Sequence, residues 1–359
     1  MSVLVTGASG FLGTAVVKHL LANKESHVRC FVRPSSDTVP LENLRLQYPR
    51  STVEYVTGNL LSARDVCRAL ERITTVYHLA AQMRGAPASV FQNTVLASKR
   101  LLDGMLGTRP KRVILVSSLS VYGSSKLSSK ALIDETAELE QRPEKRDVYT
   151  HSKLRQELLF REYQAKNGFE LVILRPGVIY GKSTPEFSAR VGLVVGGLLL
   201  HFGGRNLLPL TYVDNCAEAV VVAGTSGDTP YSVYNMVDDA LPTSAEYLSG
   251  YRDHVGRIHS VRFPFCITGV LSAFVERYSI YSRGQIPPVL TPYKSAALWK
   301  GNRYSNARIK SIGWQQHVPT DAALLETFEY FKSHKSGYDP AKTQPGRCLA
   351  SLESPAGSA

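Results

Sequence analysis

The sequence predicts an α/β protein: a doubly wound parallel sheet with a smaller, interleaved C-terminal lobe. Three observations predict it. Short apolar runs alternate with longer amphipathic stretches through the first half of the chain, the pattern of strands joined by crossover helices. The first run, Val3-Leu4-Val5, leads straight into a glycine-rich turn and then into a helical stretch. Beyond Arg175 the alternation weakens, as expected where loops of a second lobe leave a sheet.

Taken in order, the strands are expected at Ser2 to Thr6, Val28 to Val32, Val53 to Val56, Thr75 to Leu79, Arg112 to Ser117 and Leu171 to Leu174. Helices are expected at Phe11 to Ala22, Ala63 to Glu71, Ser89 to Leu106 and Tyr149 to Lys166. That order gives two successive mononucleotide-binding halves, the Rossmann arrangement. The stretch Gly181 to Arg190 has few apolar positions and reads as a flexible connection. A helix over Asp214 to Ala223 follows, with Asp214 placed to cap its start. Ser232 to Met236 reads as a returning strand, and Ala245 to Val255 and Pro264 to Tyr281 as later helices. The last helix, Asp321 to Lys335, carries Leu324, Leu325, Phe328 and Phe331 at spacings that bury one face. The chain thus divides into a nucleotide-binding domain at 1–180, a mainly substrate-binding lobe at 181–335 with returns to the first domain, and a flexible tail at 336–359.

Composition narrows the partners. Lys and Arg number 42 against 30 Asp and Glu, a formal charge of +12 that favours an anionic ligand. The basic residues are scattered and lack aromatic interleaving, which argues against a dedicated nucleic-acid partner. Cys30, Cys67, Cys216, Cys266 and Cys348 have neither paired nor metal-ligand spacing, so a reducing compartment is expected and no metal site. No basic leader or cleavage segment precedes the first strand, and the apolar windows are shorter than a bilayer span. A cytoplasmic enzyme is the resulting expectation, with peripheral membrane contact left open.

In Thr6-Gly7-Ala8-Ser9-Gly10-Phe11-Leu12-Gly13, Gly7 permits a tight turn, Gly10 lets the backbone approach a pyrophosphate, and Gly13 leaves room between helix and sheet. Amides at the helix start then face a phosphate. An acid at the end of the second strand would hold a free adenosine ribose, but Val32 and Arg33 stand there. The Arg33 guanidinium suits a 2′-phosphate, so NADP(H) is expected ahead of NAD(H).

Tyr149-Thr150-His151-Ser152-Lys153 places a phenol and an ammonium four residues apart, on one helical face. The ammonium can stabilise a tyrosinate and hold a ribose hydroxyl, while the phenol exchanges a proton with a carbonyl oxygen. Val116-Ser117-Ser118 adds a hydroxyl at the carboxyl edge of the fifth strand, where open parallel sheets bind ligands. Either Ser118 or Ser117 could orient the substrate oxygen. His151 points to another face and is assigned no catalytic role.

These segments resemble the extended short-chain dehydrogenase/reductase family, the NAD-dependent epimerase/dehydratase group. The resemblance rests on the glycine turn, Gly58-Asn59-Leu60, His78-Leu79-Ala80-Ala81, Val116 through Gly123, Tyr149 through Lys153, Arg175 through Gly181, and Tyr212-Val213-Asp214-Asn215. It implies Ser118 as the substrate-positioning hydroxyl, Tyr149 as acid/base and Lys153 as its cofactor-binding partner. It also implies that Gly7, Gly10, Phe11, Leu12, Gly13, Arg33, Asn59, Leu60, Ala80, Asn93 and Pro176 lie at the cofactor. Where the family commonly has Asp beside the adenine, this chain has Asn59. Leu119 and Ser120 replace the acidic chemistry of sugar dehydratases, which argues against a 4,6-dehydratase. The expected reaction is NADP(H)-dependent interconversion of a secondary alcohol and a ketone, with nucleotide-sugar epimerisation second and a nonenzymatic nucleotide-binding role third.

Some resemblance to the three-beta-hydroxysteroid dehydrogenase branch comes from Arg175-Pro176-Gly177 and the apolar later helices. Val270, Leu271, Phe274, Val275 and Tyr278 could line a pocket or face a membrane, with ordinary core packing the favoured reading. Gly203-Gly204-Arg205-Asn206 offers a phosphate contact for a nucleotide-linked substrate. A homodimer through the helices at Ser89 to Leu106 and Tyr149 to Lys166 is compatible with their apolar faces.

Overall fold

The computed structural model describes residues 2–23, 27–124, 126–188, 190–227, 229–262, 270, 272–275, 277–278, 281 and 301–334. Its strands are Ser2–Thr6 (β1), His27–Val32 (β2), Thr52–Thr57 (β3), Thr75–His78 (β4), Arg112–Val116 (β5), Leu132–Ile133 (β6), Glu170–Pro176 (β7), Val178–Tyr180 (β8), Gly192–Val195 (β9), Leu198–His201 (β10), Leu210–Tyr212 (β11), Val233–Met236 (β12), His259–Arg262 (β13) and Arg303–Tyr304 (β14). Seven of them form one sheet in the order β12-β7-β5-β4-β1-β2-β3. Every pairing in it is parallel. The order reverses between β1 and β4, so a ligand crevice opens at their carboxyl ends.

The helices are Phe11–Ala22 (α1), Val39–Gln47 (α2), Ala63–Leu70 (α3), Pro87–Phe91 (α4), Ala97–Thr108 (α5), Val148–Asn167 (α6), Val213–Thr225 (α7) and Ser244–His254 (α8), followed by Ala307–Ser311 and Thr320–His334. They cover both faces of the sheet. Val3 and Val5 pack into the layer that holds Val16, Val17, Val220 and Val221, whereas Leu4 enters the opposite layer with Val66, Leu101 and Phe160. This alternation follows from side chains pointing to opposite faces along a strand. It also explains why the strands read as unbroken apolar runs.

Several expectations need correction. The stretch Ser89 to Leu106 is not one regular helix: the segment starts at Pro87 and widens into a π turn at Gln92–Leu96 before α5. Asp214 does not cap α7, because Tyr212 holds the cap position and the Asp214 carboxylate pairs with Lys18 at 2.8 Å instead. In Thr320–His334 the buried positions are Thr320, Ala323, Thr327, Phe328 and Phe331, while Leu325 is 41% exposed. Val270, Phe274 and Tyr278 are exposed rather than packed in the core, at 61%, 69% and 56%. Leu271, parts of Pro264 to Tyr281 and the tail lie outside the described residues.

The later half contributes more sheet than its sequence suggests. β9 and β10 pair antiparallel and β13 joins β10 in parallel, while β8 pairs with β11. Asp238, which follows β12, ties this region to the main sheet: its carboxylate accepts from the Tyr212 amide at 3.0 Å, the Tyr180 hydroxyl at 3.0 Å and the Asn215 side chain at 3.2 Å. Burial pushes its carboxyl up to about 6, against the pull of these donors. Among the described residues no helix is long and apolar enough to cross a membrane.

Candidate active site

The glycine turn sits at the end of β1, directly beside the start of the loop after β4. Gly7 has φ +74°, and a Cβ there would come within 3.0 Å of the Ala80 amide nitrogen. A Cβ on Gly13 would lie 2.0 Å from the Gly7 carbonyl oxygen, well inside contact distance. The turn closes through Gly10 N–H to Gly7 O at 3.0 Å, and α1 begins without a side-chain cap. Its first amides are therefore not taken by a side-chain cap, as a phosphate-binding helix start requires. Phe11 and Gly10 are exposed at this point and Leu12 is buried behind them.

The flanking cofactor candidates surround the same edge. Arg33 is exposed, and Ser36 folds back on it: the Arg33 amide donates to Ser36 Oγ at 3.1 Å and the Ser36 amide to the Arg33 carbonyl at 3.0 Å. The guanidinium thus extends from a short turn. Asn59 is exposed, its side-chain oxygen accepting from the Leu61 amide at 3.0 Å, while Leu60 and Ala80 are half-buried. Asn93 lies in the π turn and spends its amide on Gln82 Oε1 at 2.7 Å and the Ser89 carbonyl at 3.0 Å. Such widened turns recur at functional sites. Pro176 ends β7, buried.

Helix α6 presents the candidate acid/base pair. Asp147 caps it by accepting from the Thr150 amide at 2.7 Å, and Gly168 ends it in the left-handed conformation with φ +72°. Tyr149 thereby falls in the first turn and Lys153 one turn further on the same side. Burial pushes the Tyr149 phenol up to about 12, opposed by the adjoining Ser118 hydroxyl and reinforced by Asp147. Burial lowers Lys153 to about 8, opposed by the field of Glu157. Ser118 is half-buried beside the phenol, with its Oγ accepting from the Ser120 amide at 3.1 Å. Ser117 is buried, and its hydroxyl has no hydrogen-bond partner among the described residues. Ser118 is thus the hydroxyl that meets Tyr149. His151 packs edge-on against Phe91, ring centroids 4.8 Å apart.

Lys153 is 3% exposed and donates to the Val116 carbonyl at 2.8 Å and to Gln156 Oε1 at 3.0 Å. A third N–H remains for a ligand hydroxyl. Gln156 was not among the residues singled out by the sequence, although its position three residues after Lys153 puts it on the same helical face. One turn further, Glu157 forms a bidentate pair with Arg175 on β7, at 2.9 and 2.6 Å, with both side chains buried. Arg175 also lies over the Tyr122 ring, 4.7 Å from its centroid. These contacts fix α6 against the sheet below the site. The phosphate turn, the uncapped helix start and the half-committed ammonium together fit a dinucleotide. Arg205, on the Gly203-Gly204 turn of the later half, is exposed.

Comparison with known proteins gives the same picture. A family model described as NAD dependent epimerase/dehydratase family matches residues 3–236. An uncharacterized UDP-glucose epimerase of Bacillus subtilis is 27% identical, over 61% of this chain and 71% of that protein. The sterol-4-alpha-carboxylate 3-dehydrogenase, decarboxylating, of Homo sapiens is 24% identical, over 91% of this chain and 87% of that protein. Among solved structures, the UDP-glucuronic acid 4-epimerase from Bacillus cereus in complex with NAD superposes with a TM-score of 0.68 at 20% identity, covering 93% of this chain and 99% of that one.

Proposed function

The chain belongs to the NAD dependent epimerase/dehydratase family and is an enzyme of the extended short-chain dehydrogenase/reductase type, and on that premise we propose that it interconverts a secondary alcohol and a ketone using NADP(H). The observation that carries this reading is the meeting of Ser118, Tyr149 and Lys153 at the carboxyl edge of the sheet, beside the glycine turn. The nonenzymatic reading is set aside by the family.

The roles follow from chemistry. A phenol held near 12 is protonated at neutral pH, so Tyr149 carries a proton ready for a carbonyl oxygen. Ser118 holds that oxygen toward it. The positive charge of Lys153, one turn away, stabilises the tyrosinate left behind and its remaining N–H holds a ribose hydroxyl. When bound, the nicotinamide supplies the hydride, or takes it in the reverse direction. In this reading residues 1–180 and the returning strand β12 hold the cofactor, and 181–335 mainly shape the substrate side.

NADP(H) is placed ahead of NAD(H) because Arg33 stands where an acid would otherwise meet a free ribose. Replacing Arg33 with Ser is expected to weaken NADPH binding about tenfold to a hundredfold, the loss of a charge-assisted contact, while NADH binding changes little. Titration of both cofactors by fluorescence checks it. Equal losses for the two would remove Arg33 from the 2′-phosphate.

Nucleotide-sugar epimerisation is the second reading, favoured by the UDP-glucose epimerase relative and by the exposed Arg205 on its glycine turn. The relative acting on a sterol carboxylate supports the first. Incubation with members of both substrate classes separates them. Net accumulation of reduced or oxidised cofactor supports the oxidoreductase, whereas isomerised substrate without such accumulation supports the epimerase.

A further inference from the structure

Behind Lys153 lies a buried polar chain that the reaction as described does not use. Gln156 Oε1 accepts from Lys153, and Gln156 Nε2 donates to Ser98 Oγ on α5 at 2.7 Å. Ser98 in turn gives its single hydroxyl proton to the Thr94 carbonyl at 2.6 Å. His78 Nε2 on β4 approaches Ser98 Oγ at 2.8 Å, and its Nδ1 meets Thr6 Oγ1 on β1 at 2.7 Å. Ser98, Gln156, His78 and Thr6 are all buried.

Proton accounting orients the Gln156 amide. A hydroxyl has one proton and two lone pairs. With its proton committed to Thr94, Ser98 Oγ can only accept from its other neighbours. The Gln156 amide nitrogen must therefore face Ser98, and the amide oxygen must face Lys153. Gln156 Nε2 also lies 3.2 Å from His78 Nε2, so the imidazole either joins in donating to Ser98 or accepts the second amide proton, with Nδ1 taking the complementary role toward Thr6. The imidazole stays neutral, since burial and the Lys153 charge lower it to about 3. A flipped Gln156 amide would turn its NH₂ toward the ammonium and leave Ser98 without that donor, two losses in a low-dielectric interior.

We propose that Gln156 is a positioning residue for Lys153, its amide locked by Ser98 and His78 so that the ammonium keeps one N–H aimed at the cofactor. The inference rests on the cofactor reading above. The chain of contacts begins at Thr6, the residue before Gly7, so the same set of bonds that seats the ammonium also abuts the phosphate turn. Gln156 touches neither substrate nor cofactor in this account. It acts through Lys153.

The test is a double-mutant cycle on cofactor affinity, read from NADPH and NADH fluorescence. Gln156→Leu removes both the acceptor for Lys153 and the donor to Ser98 and is expected to weaken binding about tenfold. In a Lys153→Met background Gln156→Leu should add no further loss, because the residue it positions is gone. Ser98→Ala, which frees the amide without touching α6, should weaken binding in the same non-additive way and serves if Gln156→Leu does not fold. Affinity of Gln156→Leu within about twofold of wild type, or a loss that adds fully to that of Lys153→Met, overturns the proposal. Wild-type protein that binds neither cofactor overturns the cofactor reading and this inference together; wild-type binding with independent variants overturns the inference alone.

Discussion

Replacing Tyr149 with Phe is expected to lower turnover about 10²- to 10⁴-fold, the usual contribution of a positioned acid/base, while leaving fold and cofactor affinity near wild type. The ring sits half-buried in the first turn of α6 and loses only its hydroxyl. Ser118 keeps its own hydroxyl proton, but an alcohol is a far weaker acid than a phenol, and the Lys153 ammonium is turned toward Val116 and Gln156. Turnover with an identified alcohol or ketone, paired with cofactor titration and a melting curve, decides the matter. Unchanged turnover in a folded, cofactor-binding variant removes Tyr149 from the chemistry.

The second large effect concerns stability. Glu157 and Arg175 face each other in a buried, bidentate pair, and Glu157 also acts on Lys153 and Arg161. Burial disfavours the Arg175 charge, but the carboxylate more than offsets this and holds the guanidinium above its ordinary value. Breaking such a pair by removing one partner costs about 3–5 kcal/mol, because the other charge is left buried alone. Arg175→Met is expected to show this loss. Glu157→Gln should be at least as damaging, since three cations then share the space without their acid. Replacing both partners by apolar side chains should recover much of it. Chemical denaturation measures all three, and a loss below about 1 kcal/mol for either single variant would mean that water reaches the pair.

How much of this could be read from the residues alone differs by element. β1, α1 and the turn between them were legible because three signals coincide there: an unbroken apolar strand, spaced glycines and an apolar helix start. Helix α2 was missed because only Leu41 and Leu44 of Val39–Gln47 are buried, too few to raise a periodic signal. The π turn was invisible for another reason: a single widened turn shifts the helical period by less than a propensity pattern resolves. Asp214 had the residue type of a cap, but Lys18 on α1 competes for its carboxylate, and that contact joins positions far apart in sequence. Tyr149 and Lys153 could be picked out by spacing within one helix. The Gln156, Ser98 and His78 chain could not, since it draws on α6, α5 and β4 and emerges only when they pack.

The five residues of Gln92–Leu96 complete a turn that a regular helix would make with fewer. Deleting one of them would let ordinary helical bonding run straight through. The residues on either side would keep their orientation about the axis, because the wide turn already absorbs the extra residue, and Ser98 would still face His78. What a shorter turn would change is the stretch that holds Asn93, whose amide now reaches Gln82 and the Ser89 carbonyl from within the widened backbone.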